Sequence, residues 1–79
     1  MADILSPLPG IFYRKPGPDK DPYVTEGDHV DVGQTVGMVE VMKQFTEVRS
    51  DAAGTIDHFH IEDGGTVNPG EAIATVSEG

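Results

Sequence analysis

"EGDHVDVGQTVGMV", residues 26–39, and "DGGTVNPGEAIATV", residues 63–76, align without a gap. Gly27 falls on Gly64, Val30 on Val67, Gly33 on Gly70, Val36 on Ile73 and Val39 on Val76, at a constant offset of 37 positions. Upstream, "SPLPGIF" (6–12) aligns with "SDAAGTI" (50–56), Ser6 on Ser50 and Gly10 on Gly54, at an offset of 44. The chain is therefore two similar halves, and the first carries seven extra residues between Phe12 and Glu26. Self-similarity of this kind predicts repeated units that each cover the apolar face of the other.

The repeat sits in a chain broken every few residues by ten glycines and six prolines. No helix of useful length fits between them, whereas short runs of Val, Ile, Thr and Phe do. The expectation is an all-β domain: a flattened barrel or sandwich with quasi-twofold symmetry. Val36 and Val39 are three apart, as are Ile73 and Val76, which breaks strict alternation and predicts a bulge or a strand covered on both faces. "GDHVDVGQ" and "GGTVNPGE" read as matching turns, with Gly33 and Gly70 supplying backbone that a Cβ would oppose. Phe12, Phe45, Ile56, Phe59 and Ile61 are assigned to the core.

The extra residues fall within "YRKPGPDKDPYVT". Its prolines remove ladder donors and fix φ, so residues 14–22 are expected to leave the sheet as a protruding, semi-rigid loop. That segment holds Arg14, Lys15 and Lys20, three of the five basic residues in the chain.

Seventy-nine residues make one small domain, expected over 1–79. The absence of cysteine excludes disulfides and thiolate metal sites. A net charge of −9 makes nucleic acid a poor partner. No apolar run reaches membrane-spanning length and no secretory leader opens the sequence, so the expectation is a cytoplasmic protein without membrane contact. His58 and His60 are two apart and can share a strand face, but no carboxylate or thiol partner is evident, so no metal site is expected.

Lys43 is the sole lysine outside the 14–20 cluster, and it interrupts an apolar run, "VEVMKQF" (39–45). In the repeat it occupies the link between the halves: at the offset of 37 its mate would be position 80. Its symmetry mate is thus the pair of chain ends, and ends of small domains lie at the surface. Met42–Lys43 is expected to be an exposed hairpin tip, with Val39 and Val41 in the strand entering it and Phe45 in the strand leaving it.

These residues resemble a known family. "VEVMK" resembles the Glu-Ala-Met-Lys attachment motif of biotinyl domains. "SPLPGIFYR", the Pro-rich insertion, "VTEGDHVDVGQTVGMVEVMK" and "DAAGTIDHFHIEDGGTVNPGEAIATV" resemble, in that order, the biotinyl domain of biotin carboxyl carrier proteins of the acetyl-CoA carboxylase type. Val41 stands where that family usually has alanine, and Gln44 where it has methionine.

The resemblance implies a biotinyl/lipoyl hammerhead of two four-stranded antiparallel sheets with a thumb-like protrusion. It implies biotin attached covalently to Lys43 by a biotin protein ligase, with Met42 and Glu40 in ligase recognition. It also implies a non-catalytic carrier that shuttles carboxylate between biotin carboxylase and carboxyltransferase sites. A lipoyl carrier domain and an unmodified interaction module are the alternatives. Lipoyl sites usually place an acidic residue before the lysine, where this chain has Met42. A stand-alone carrier and an excised domain both fit the sequence.

Overall fold

Eight strands follow one another along the chain: β1 (Ala2–Leu5), β2 (Gly10–Tyr13), β3 (His29–Val30), β4 (Thr35–Val41), β5 (Gln44–Arg49), β6 (Gly54–Phe59), β7 (Gly65–Val67) and β8 (Ala72–Ser77). The structure is a computed structural model that describes residues 1–78. Gly79, the last residue of the expected domain, lies outside the described residues. The strands form two four-stranded antiparallel sheets, ordered β1-β8-β6-β3 and β5-β4-β2-β7. Exchanging β1 with β5, β2 with β6, β3 with β7 and β4 with β8 converts one order into the other. The quasi-twofold expected from the repeat is thus the symmetry of the fold.

The symmetry reaches individual hydrogen bonds. Ser6 N donates to the Glu71 carbonyl at 2.9 Å, and Ser50 N to the Gln34 carbonyl at 2.9 Å. Gly70 N donates to the Ser6 carbonyl, and Gly33 N to the Ser50 carbonyl. The buried hydroxyls of Ser6 and Ser50 close matching turns onto the carbonyls of Leu8 and Ala52. Buried polar groups need partners, and these turns supply one to each hydroxyl.

The core consists of repeat mates: Ile4 with Val48, Phe12 with Ile56, Val30 with Val67, Val36 with Ile73, and Val39 with Val76, joined by Val24 and Ala74. Residues three apart both reach this core because the pairing register shifts around them. The β4–β5 register slips between Thr35 and Gly37, and the β1–β8 register skips Ile73. Each bulge adds one residue and rotates the strand, so Val36 and Ile73 face inward alongside Val39 and Val76. Gly33 and Gly70 have φ of 87° and 80°, the left-handed region expected of them.

Close approach requires glycine at another symmetric pair. A Cβ at Gly10 would strike the Glu40 carbonyl, and one at Gly54 would strike the Ser77 carbonyl. Gly10 is therefore what lets β2 lie close beside the end of β4, near the hairpin that carries the lysine.

Phe45 departs from its expected place in the core. It is 58% exposed, because the β4–β5 ladder pairs it with outward-facing Glu40, while Val39 pairs with Thr46. The two-residue turn fixes that register, and register decides which face a side chain takes. Phe12 and Ile56 are fully buried, and Phe59 and Ile61 are half-buried against the core.

Candidate functional site

The strand β4 runs out to Val41, which pairs with Gln44 on β5. Only Met42 and Lys43 lie between them, with φ of 51° and 66°. Positive φ at both central residues defines the type I′ hairpin turn, which favours Asn-Gly because the left-handed conformation opposes a Cβ. Met42 and Lys43 are the only non-glycine residues with positive φ among the described residues. The sequence therefore places two strained side chains where glycine or asparagine would fold more easily. Strain of this kind clusters at functional sites.

Both side chains point to solvent, and Met42 is 90% exposed. None of the ion pairs among the described residues includes Lys43. The amine is thus presented, unpaired, at the end of a short rigid hairpin. Glu40 lies one step back on the outer face, in a cross-strand row with Ile11 on β2 and Phe45 on β5. The three candidate residues are therefore on one hairpin, with Met42 and Lys43 at its tip and Glu40 on its flank.

The 14–22 segment carries no strand. It folds back and forms one wall of a groove of about 500 Å³. Lys15, Pro16, Gly17 and Pro18 line that wall; Tyr13, Met38, Glu40 and Phe45 on the outer face of β2, β4 and β5 line the other, with Asp63 at the rim. Tyr13 and Phe45 meet as a tilted aromatic pair with ring centres 6.4 Å apart. Burial in this groove, and then the negative charges of Glu40 and Asp63, push the Tyr13 phenol above its ordinary range. Sequence reasoning missed Phe45 as a groove residue. Its place two positions past the lysine, across from Glu40, was the available signal.

Arg14 holds the base of this segment. Its carbonyl accepts from Tyr23 N at 2.9 Å, closing the loop, and its amide donates to Asp63 Oδ1 at 2.7 Å. Its guanidinium lies 4.1 Å over the Phe59 ring and 3.2 Å from Glu26 Oε1. The Glu26 carboxyl is held below its usual range by backbone amides, its own and that of Phe59, and by Arg14, against an opposing effect of burial.

Fold and site together define a small two-sheet β domain that displays one lysine on a strained hairpin. Comparison with known proteins gives that class a family. Residues 2–76 match the family model described as biotin-requiring enzyme. The chain is 44% identical over 65 residues to the biotin carboxyl carrier protein of acetyl-CoA carboxylase 2, chloroplastic, of Arabidopsis thaliana, covering 82% of this chain and 26% of that protein. It is 37% identical over 75 residues to the biotin carboxyl carrier protein of acetyl-CoA carboxylase of Pyropia yezoensis, covering 95% and 48%. The corresponding Haemophilus influenzae protein is 34% identical over 73 residues, covering 92% and 47%. Among solved structures, the urea carboxylase of Kluyveromyces lactis superposes with a TM-score of 0.78 at 25% identity, over 96% of this chain and 6% of that one. This chain belongs to the biotin-requiring enzyme family. It spans about a quarter to a half of the curated relatives it matches.

Proposed function

We propose that this chain is a biotin carrier domain of a carboxylase of the acetyl-CoA carboxylase type, with biotin joined by an amide to Lys43 Nζ. The observation that carries the reading is the Met42–Lys43 turn: a primary amine held on a strained two-residue hairpin, exposed and outside every ion pair among the described residues. The match to the biotin-requiring enzyme family and the names of the relatives support it.

The residues present fit the group. An accessible amine is what acylation needs, and the adjoining groove has an apolar lining, carboxylates at its edge and the size of a small-ligand site. Biotin, when bound, supplies a ring nitrogen that takes up a carboxylate at one active site and gives it up at another. Everything else falls to the chain. Lys43 Nζ loses its charge on becoming an amide, and its flexible stem becomes the root of an arm. The hairpin fixes that root relative to the body, which raises the local concentration of the arm's end at both active sites. Met42 offers an adaptable thioether to the ligase, and Glu40 offers a carboxylate on the same flank. The 14–22 wall of the groove limits where the end of the arm rests.

In this reading the chain is a carrier and not a catalyst. A Schiff-base lysine is normally desolvated in an apolar pocket, and Lys43 is exposed. Its partners are a biotin protein ligase, a biotin carboxylase and a carboxyltransferase. No helix among the described residues is long and apolar enough to cross a membrane.

The test is intact-mass analysis and peptide mapping after incubation with biotin, ATP and an active biotin protein ligase. One biotinyl group on Lys43, and none on Lys43→Arg, is the expected result. Modification by a lipoate ligase instead would make the chain a lipoyl carrier. A chain left unmodified by both ligases, beside fully modified control substrates, would refute both.

A further inference from the structure

The outer face of the other sheet carries a second cluster, remote in sequence from the hairpin. On β6 the register slips between Ile56 and His58, so Asp57 is the extra residue of a bulge. Ile56 is buried and Phe59 half-buried, while Asp57, His58 and His60 are exposed. The His58 and His60 rings come together edge to face, with centres 4.3 Å apart and planes at 75°.

Each ring has one nitrogen already committed. His58 Nδ1 lies 2.9 Å from Asp57 Oδ2. An ionised carboxylate only accepts, so His58 Nδ1 donates to it, and in the neutral ring the lone pair is on Nε2. His60 Nε2 lies 2.7 Å from Thr75 Oγ1, which donates its own proton to Asp3 Oδ1 at 3.0 Å. The threonine oxygen therefore accepts from His60 Nε2, and in the neutral ring the lone pair is on Nδ1. Two adjacent imidazoles each donate one N–H toward a carboxylate, one directly and one through a hydroxyl. This is the arrangement that orients histidine ligands and raises their basicity.

The ring spacing is close to that of paired ligands. With metal–nitrogen bonds of about 2.0–2.1 Å, and ring centres roughly 1.1–1.2 Å beyond the nitrogen, two imidazoles on adjacent positions of one ion have centres about 4.5–5.2 Å apart. The observed 4.3 Å lies just below that range, and both side chains are exposed. We propose that His58 and His60 form a two-imidazole site for a divalent transition-metal ion of the copper, nickel and zinc class, completed by water. Among the described residues no group of three or more His, Cys, Asp or Glu side chains is placed to hold a metal. The site is therefore open and of modest affinity, with Cu2+ binding most tightly. The sequence reading discounts metal because no carboxylate or thiol partner is evident and paired strand histidines are usually unliganded; in the fold Asp57 and, through Thr75, Asp3 hydrogen-bond the two rings.

The test is calorimetric titration of the untagged chain with CuCl2, NiCl2 and ZnCl2, together with electron paramagnetic resonance of the Cu2+ complex. One ion per chain is expected, with nitrogen hyperfine structure and Cu2+ tightest. His58→Asn and His60→Asn should each weaken binding at least about tenfold. Thr75→Val, which removes the link to Asp3, should weaken it by about ten- to a hundredfold. His29→Asn, on β3, should change nothing. No saturable binding, or equal affinity in the His58→Asn/His60→Asn double variant, would overturn the proposal and leave the carrier reading untouched.

Discussion

Replacing Met42 by asparagine and Lys43 by glycine should make this protein more stable while removing its proposed function. Both positions have left-handed φ, 51° and 66°. That conformation costs an ordinary side chain about 1–2 kcal/mol per residue. Asparagine relieves part of this and glycine nearly all of it, and Asn-Gly is the pair that type I′ turns select. Against the gain stands the extra chain entropy of glycine in the unfolded state, about 0.5–1 kcal/mol. No packing is lost at Met42, which is 90% exposed. The balance is a stabilisation of about 1–2 kcal/mol, which for a domain of this size raises Tm by roughly 4–15 °C. Urea denaturation followed by circular dichroism measures it, with an unchanged m-value showing that the unfolded state is the same. Gly33→Ala and Gly70→Ala, which impose the opposite change at φ of 87° and 80°, should each lose about 1–2 kcal/mol. A midpoint for the Asn-Gly variant at or below that of the parent would show that the hairpin is not strained, and the argument from strain to function would fall.

Three further outcomes follow from the same geometry. Gly10→Ala and Gly54→Ala each drive a Cβ into a backbone carbonyl, and each should cost about 1–3 kcal/mol by thermal unfolding, with closely similar values because the two positions are symmetry mates. Phe45→Ser should change stability by no more than about 1 kcal/mol, whereas Phe12→Ala should cost about 3–5 kcal/mol, a contrast measurable in the same urea titrations. Glu26 has a folded pKa below its unfolded one, so its stabilising contribution is present above the ordinary carboxylate range and is lost as pH falls through the depressed value. Backbone 15N relaxation should show residues 15–22 gaining mobility across that acidic window, and Glu26→Gln should show the same mobility already at neutral pH.

Much of this fold can be read from the glycines. The offset of 37 places Gly33 on Gly70 and Val36 on Ile73, and these become the turns and bulges of the two halves. The size of the insertion is legible too: Gly27 N bonds the Ile56 carbonyl as Gly64 N bonds that of Phe12, yet Phe12 and Gly27 are seven positions further apart than their mates Ile56 and Gly64. The lysine at the tip follows from the same symmetry. The course of the 14–22 segment was not legible. Proline explains why it leaves the ladder, but its return depends on Arg14 meeting Glu26, Phe59 and Asp63, contacts as distant as 49 positions. Phe45 was misplaced for a related reason. Its hydrophobicity argues for burial, whereas the pairing register imposed by a two-residue turn sends it outward with Glu40.

The exchange symmetry gives the scaffold a second seat. The pairing of Val39 with Thr46 at the base of the lysine hairpin has as its mate the pairing of Val76 with Ala2. Six residues connect the first pair. A six-residue connection from Val76 to Ala2, with the chain opened between Met42 and Lys43, would therefore interchange loop and break, with every strand keeping its neighbours. The same domain could then present an arm from either seat, or, left closed at both, from two at once.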